Sequence, residues 1–188
     1  MLDCERSYFK TLYEAIRVIN SSLEPMELLG RIAEQTAKAL EVKACSLRLL
    51  DRSGANLLPG ASFGLSKGYL RKGKVEVNKS KLDKEALAGA TVHVRDASTD
   101  DRFQYKDAAK TEGIKSVLVV PLKLEDKKII GVMRVYSAEE RDFCESEVEF
   151  LIIMANLSAI AIENARLHQA LKSDYELLTA FQYQTFED

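Results

Sequence analysis

Apolar residues early in the chain recur at Leu2, Phe9, Leu12, Ile16, Ile19 and Leu23, three or four positions apart over most of the stretch, which sets them on one stripe of a helix. Pro25 suits the first turn of a second helix, where its missing N–H goes unused. Leu28, Leu29, Ile32, Thr36 and Leu40 give that helix a buried face ending near Glu41. At Ala44 the period changes to two. Cys45, Leu47 and Leu49 alternate with Ser46 and Arg48, and Asp51-Arg52-Ser53-Gly54 predicts a turn into a second strand reaching Phe63. Residues 65–111 are broken by Gly68, Gly73 and Gly89, which predicts loops and short helices with brief strands at 74–77 and 91–94.

β-Branched residues cluster again in 116–124 and 128–136, on either side of a polar link, and predict a hairpin. With Asp126-Lys127 as its two-residue turn, Leu118, Val120, Leu122 and Leu124 share an apolar face with Ile129, Gly131, Met133 and Val135. The reverse face mixes Val117, Val119, Pro121 and Lys123 with Ile130, Val132, Arg134 and Tyr136. From about Glu145 a helix is predicted nearly to the C-terminus, with Phe150, Ile153, Leu157, Ile160, Asn164, Leu167, Leu171 and Leu178 along one seam. A second strip, Leu151, Met154, Ala155, Ile162 and Ala165, stops at Ala165, so the helix should pack on the sheet early and project beyond it later.

Composition changes this picture little. A hydrophobic content of 46% over 188 residues builds the core of one domain. Apolar runs fall short of the roughly 18–20 residues that cross a bilayer, since 150–162 is interrupted by Asn156 and Ser158. The N-terminus lacks the basic-then-apolar order of a secretion signal, so a cytoplasmic address is expected, with no membrane partner. Cys4, Cys45 and Cys144 then read as reduced thiols, and two histidines offer no zinc-site spacing. A net charge of −2 with mixed signs supplies no basic field for nucleic acid.

The order of elements, helix, helix, hairpin, irregular middle, hairpin, long helix, resembles the GAF family, and local segments carry the likeness. Gly113-Ile114-Lys115-Ser116-Val117-Leu118-Val119-Val120-Pro121-Leu122 is similar to that family's penultimate strand, and Ile130-Gly131-Val132-Met133-Arg134-Val135-Tyr136 to its last. Ala161-Ile162-Glu163-Asn164-Ala165-Arg166-Leu167 resembles its exit helix, and Asp101-Arg102-Phe103 a turn before the penultimate strand. The resemblance implies an α+β, PAS-like fold: a six-stranded antiparallel sheet with helices packed on one face, a ligand pocket on the other, and long N- and C-terminal signalling helices. It divides the chain into a GAF domain with its N-terminal helix, 1–168, and an outgoing linker helix, 169–188.

Cyclic-nucleotide members carry Asn-Lys at the end of the last strand, then Phe, then Asp-Glu. Here Tyr136-Ser137 replaces Asn-Lys, Phe143 matches, and Glu147-Val148 replaces Asp-Glu, so the lysine–acid pair cannot form. Bilin relatives attach pigment through a cysteine commonly followed by histidine, whereas Ser46 follows Cys45 and Glu145 follows Cys144. Members that reduce methionine sulfoxide need cysteines in the pocket loops, and 64–111 contains none. His93 alternates with Val92 and Val94 and could reach solvent or the pocket, but it lacks the supporting ligand a haem would want. Haem, bilin and cyclic nucleotide are therefore disfavoured, and the cofactor stays unknown. Asp96, Asp100, Asp101 and Asp107 around Arg102 are expected to cap turns rather than hold a metal.

The candidate ligand site rests on the mixed face. Strand parity puts Arg48 and Arg134 there, and in the family their strands are neighbours, so two guanidiniums should lie close together. An anion would satisfy both, with Ser46, Tyr136, Tyr69, Phe103, Tyr105 and His93 as wall residues. The alternative is that Asp96, Asp100 or Asp101 folds over to pair with them, or that both reach water. The seamed terminal helices would leave a large apolar patch in a monomer, which predicts a homodimer through them and an output domain beyond Asp188. The function read from all this is a non-catalytic sensory input module that binds a small ligand, with an anion as the candidate class. The alternatives are a ligand-free structural dimerisation module and, further off, a small-molecule redox enzyme.

Overall fold

A computed structural model describes residues 2–19, 24–71, 74–103, 105–125 and 127–184. Of residues called on the seams and turns, Leu23, Gly73 and Asp126 lie outside the described residues, as do the side chains of Leu2, Cys4 and Leu178. The elements are α1 (Leu2–Ile19), α2 (Pro25–Ala39), β1 (Ala44–Leu50), β2 (Asn56–Phe63), α3 (Lys67–Leu70), β3 (Val75–Glu76), a 3-10 turn (Val77–Lys79), α4 (Lys81–Leu87), β4 (Val92–Val94), α5 (Lys106–Glu112), β5 (Ser116–Lys123), β6 (Ile129–Ser137) and α6 (Glu145–Gln184). Pro25 opens α2 as expected, and the chain leaves it through Leu40 and a left-handed Glu41 with φ 51°.

Six strands pair in the order β3-β2-β1-β6-β5-β4, and each neighbouring pair is antiparallel. The chain thus enters the sheet at its centre, runs to one edge, crosses over to the other, and returns to put β6 beside β1. In the β5–β6 hairpin Leu118 faces Val135, Val120 faces Met133 and Leu122 faces Gly131, the register a two-residue turn at 126–127 implies. An irregularity after Leu122 then sets Ile129 against Lys123, so Leu124 and Ile129 do not pair as expected. Gly131 is required where it stands, because a Cβ there would run into the Arg48 carbonyl oxygen of β1.

The period-two alternation sorts side chains to two faces. Leu47, Leu118, Val120, Leu122, Met133 and Val135 meet Leu28, Leu29 and Ile32 of α2 and Phe150, Leu151 and Met154 of α6 in one core. Tyr8 of α1 stacks on Phe150 with ring centroids 4.5 Å apart. Val117, Val119, Val132 and Tyr136 form the opposite face with Tyr69 of α3, Leu82 and Ala86 of α4, Phe103, and Ala109 of α5. That face is covered by three short helices rather than by loops alone.

The stripe on α1 splits: Leu12 and Ile19 pack against the core, while Phe9 is 75% exposed and Ile16 is exposed too. On α6 the early residues are buried and the later seam stands clear, with Leu167, Leu171 and Tyr175 exposed. One stretch within Glu145–Glu176 has a mean hydropathy of 1.5, long and apolar enough by length and composition to cross a membrane, where counting unbroken runs suggested none. Of that stretch 44% is buried within the fold, where Leu151, Met154, Ala155, Ala159 and Ile162 lie in the core and account for much of its apolar character.

Candidate functional site

Strands β1 and β6 place the mixed-face residues side by side. Ser46 pairs with Arg134, Ala44 with Tyr136 and Arg48 with Val132, so Ser46, Arg48, Arg134 and Tyr136 share one face at the centre of the sheet. The Ser46 and Tyr136 hydroxyls lie 3.0 Å apart, and Tyr69 meets the Tyr136 ring edge-on at 6.1 Å. Both arginines are buried, Arg48 at 3% and Arg134 at 4% exposure.

The anion that lies among them comes from the chain itself. Ser80 caps α4, its hydroxyl accepting from the Asp83 N–H at 3.4 Å, which fixes Asp83 in the first turn. Leu82 and Ala86 seat the helix on the sheet, and Asp83 shares their buried side at 0% exposure. Its Oδ1 accepts a hydrogen bond from Arg134 Nη2. Burial alone would lower the Arg134 guanidinium's pKa, and Asp83 outweighs it, so the group is held above its ordinary value. Arg48 is shifted down, first by burial and then by the like charge of Arg134. Burial pushes the Tyr69 phenol up.

Against this pair lies a cavity of about 10 Å³ lined in part by Ser80, Asp83, Arg102, Phe103, Tyr105 and Arg134. That volume holds one water at most. Arg102 closes its outer side: it donates to Asp100 at 2.7 Å, to the His93 carbonyl at 2.9 Å, and to Glu85 of α4 at 3.3 Å.

The structure therefore brings together Ser46, Arg48, Tyr69, Phe103, Tyr105, Arg134 and Tyr136, but not His93. In β4, His93 pairs with Leu118, whose side chain faces the α2–α6 core, while Val92 and Val94 take the pocket side. The imidazole Nε2 lies 3.1 Å from the Arg141 carbonyl, and its ring meets Phe143 edge-on, on the approach to α6. Nor do Asp96, Asp100 or Asp101 reach the arginine pair: Asp96 accepts from Ser98 and Thr99, Asp100 pairs with Arg102, and Asp101 with Lys106. Asp83 was missed. Its signal was the Ser80-x-x-Asp83 cap spacing, with Asp83 three residues before Ala86 on the apolar side of a short helix.

Cys45 is buried in the helix-face core, and burial pushes its thiol pKa up; Cys144 is exposed where α6 begins. Among the described residues no group of three or more His, Cys, Asp or Glu side chains is placed to hold a metal ion.

A central antiparallel sheet, helices packed on one face and an arginine-bearing cluster under short helices on the other define a small α+β module. A model of the GAF domain family matches residues 24–162, and the chain belongs to that family. It is 31% identical over 153 residues to a methyl sulfide methyltransferase-associated sensor of Methanosarcina acetivorans, covering 79% of this chain and 15% of that protein. To a dual 3′,5′-cyclic-AMP and -GMP phosphodiesterase 11A of Takifugu rubripes it is 28% identical over 183 residues, 92% of this chain and 20% of that one. The GAF domain of an Acinetobacter phosphoenolpyruvate-protein phosphotransferase superposes with a TM-score of 0.71 at 26% identity, covering 85% of this chain and 94% of that domain. The chain thus spans a fifth or less of these curated relatives, and GAF domains serve as sensory and regulatory modules of signalling proteins.

Proposed function

We propose that the chain is a non-catalytic input module of a larger cytoplasmic signalling protein, with residues 1–168 as the sensor, 169–188 as the outgoing helix and an output domain beyond Asp188. It binds a small anionic ligand at Arg48 and Arg134 and relays its state through the terminal helices of a homodimer, with neither nucleic acid nor membrane as partner. The observation that carries this reading is a pair of buried guanidiniums on adjacent central strands with a single carboxylate among them. Two guanidiniums held this close on one buried face offer the bidentate donors that carboxylates and phosphates take. The small share of each curated relative that the chain matches supports a covalently linked output. A Cys45 buried in the helix-face core supports a role in which that thiol takes no catalytic part.

The dimer is supported by exposed apolar side chains among the described residues: Phe9 and Tyr13 on α1 with Ile153, Ile160 and Leu167 on α6. Tyr8, Phe9, Leu12, Phe150 and Ile153 also line a groove of about 370 Å³ between the two helices. Leu167→Glu should shift light scattering toward monomer, and a wild-type protein that is monomeric at tens of micromolar contradicts the dimer, since seams of this length should associate with a dissociation constant of roughly micromolar or below. For the ligand, thermal-shift screening against organic acids, nucleotides and phosphates should find an anion that raises Tm in the wild type and not in Arg48→Ala/Arg134→Ala. The absence of any such anion, or equal stabilisation of the double variant, removes the site.

The second reading, a ligand-free dimerisation module, is favoured by one observation: the cavity at the pair holds about 10 Å³. Under it the screen finds nothing while dimerisation persists.

A further inference from the structure

The ion pair that fills the site is only half made. Asp83 Oδ1 takes the Nη2 hydrogen bond of Arg134, yet Asp83 Oδ2 and Arg134 Nε, both buried, have no hydrogen-bond partner among the described residues. An arginine edge receives an unconstrained carboxylate through two parallel bonds, at Nε and at Nη2. Asp83 is tied to the first turn of α4 by the Ser80 cap and meets that edge with one oxygen. Leaving a buried donor and a buried acceptor unmade is unfavourable, and the adjoining cavity lies against both residues.

The helix that brings Asp83 is short. It runs only from Lys81 to Leu87, between the 3-10 turn and Gly89 with φ 100°, a conformation glycine adopts freely. Leu82, Asp83 and Ala86 hold its inner side, and the Arg102–Glu85 contact at 3.3 Å holds its outer side.

We propose that the Arg134 edge is a carboxylate-binding site whose resident occupant is Asp83, and that a small carboxylic acid takes its place as α4 lifts from the sheet. The proposal rests on the anion reading above and adds the ligand class and the group it must displace. A carboxylate is chosen because the group seated there now is one. Displacement replaces one bond to Arg134 with two and moves Asp83 to water, where its second oxygen is satisfied. Apparent affinity is scaled down to the fraction of molecules in which α4 has lifted, so the resident carboxylate sets the threshold at which the module responds.

The test compares wild type, Asp83→Ala, Asp83→Asn and Asp83→Ala/Arg134→Met, using acetate against chloride at equal ionic strength. At about 0.1 M acetate, Asp83→Ala should gain on the order of 5 °C in Tm over chloride, wild type much less, and the double variant nothing. Should Asp83→Ala not fold, Asp83→Asn keeps the shape, and line broadening of 13C-acetate should show at least tenfold tighter binding to it than to wild type. Equal acetate response in Asp83→Ala and the double variant overturns the proposal. So does a phosphate effect on Asp83→Ala as large as that of acetate, which removes the carboxylate class. An anion that binds wild type and Asp83→Asn equally leaves the anion reading standing and overturns displacement.

Discussion

The two faces of one sheet solve the problem of burial in opposite ways. On the α2–α6 side, Leu47, Leu118, Val120, Met133 and Val135 meet apolar helices, and these five strand residues bring no polar side chain to that layer. One residue along each strand, Ser46, Arg48, Arg134 and Tyr136 turn the other way, and that face closes only because α4 supplies Asp83 and α3 supplies Tyr69. A dry face fixes the fold. A face with charge to balance is the place where a small molecule can change which groups are paired, and the contrast assigns stability to one side and response to the other.

The sharpest break in this contrast is Arg134→Ala, which strands Asp83 in the interior. It should cost about 3–5 kcal/mol in urea unfolding, more than the loss of packing alone. Met133→Ala, one residue away on the dry face, should cost about 3 kcal/mol through cavity formation and leave anion affinity unchanged. Replacing both charges, Arg134→Met with Asp83→Leu, should return stability to within about 1–2 kcal/mol of wild type, or above it, while abolishing the anion response. If that double variant is as unstable as Arg134→Ala, the pair is structural rather than a site held ready for exchange.

A smaller effect lies at the sheet's rim. In the turn from β1 to β2, Asp51 accepts from Asn56 and Ser53, and these bonds hold its carboxyl at about 2 rather than the usual 3.8. A depressed folded value means that the contribution is complete above the ordinary value and is lost as the pH falls through it toward about 2. Asp51→Asn should therefore flatten the acid side of the stability curve, measured by urea midpoints between about pH 6 and pH 2.5, and leave ligand affinity untouched. An unchanged acid limb would mean that the turn contributes nothing to it.

Much of the fold was legible because long periodic segments leave few choices. The β5–β6 register followed from alternating apolar residues and a two-residue turn, and α6 from a three-four repeat. The arginine pair was legible for the same reason, since parity within β1 and β6 decides the face once their core sides are known. What was hidden depends on short elements. In β4, His93 sits between two valines, and alternation says only that it opposes them; pairing with Val117 and Val119 drew those valines to the pocket face and sent His93 toward Arg141 and Phe143. Asp83 lay in a seven-residue helix too short for periodicity to speak, and its role depends on a crossover that no local pattern encodes.

The most direct measurement is an NMR titration that follows the Nε–H resonance of Arg134, assigned by its loss in Arg134→Met, as small carboxylic acids are added to the wild-type protein. Saturable movement of that resonance, at concentrations where the amide signals of the α2–α6 core stay still, is the expected result. A resonance that stays unmoved by an anion shown by other means to bind would place the ligand elsewhere and contradict the assignment of response to this face.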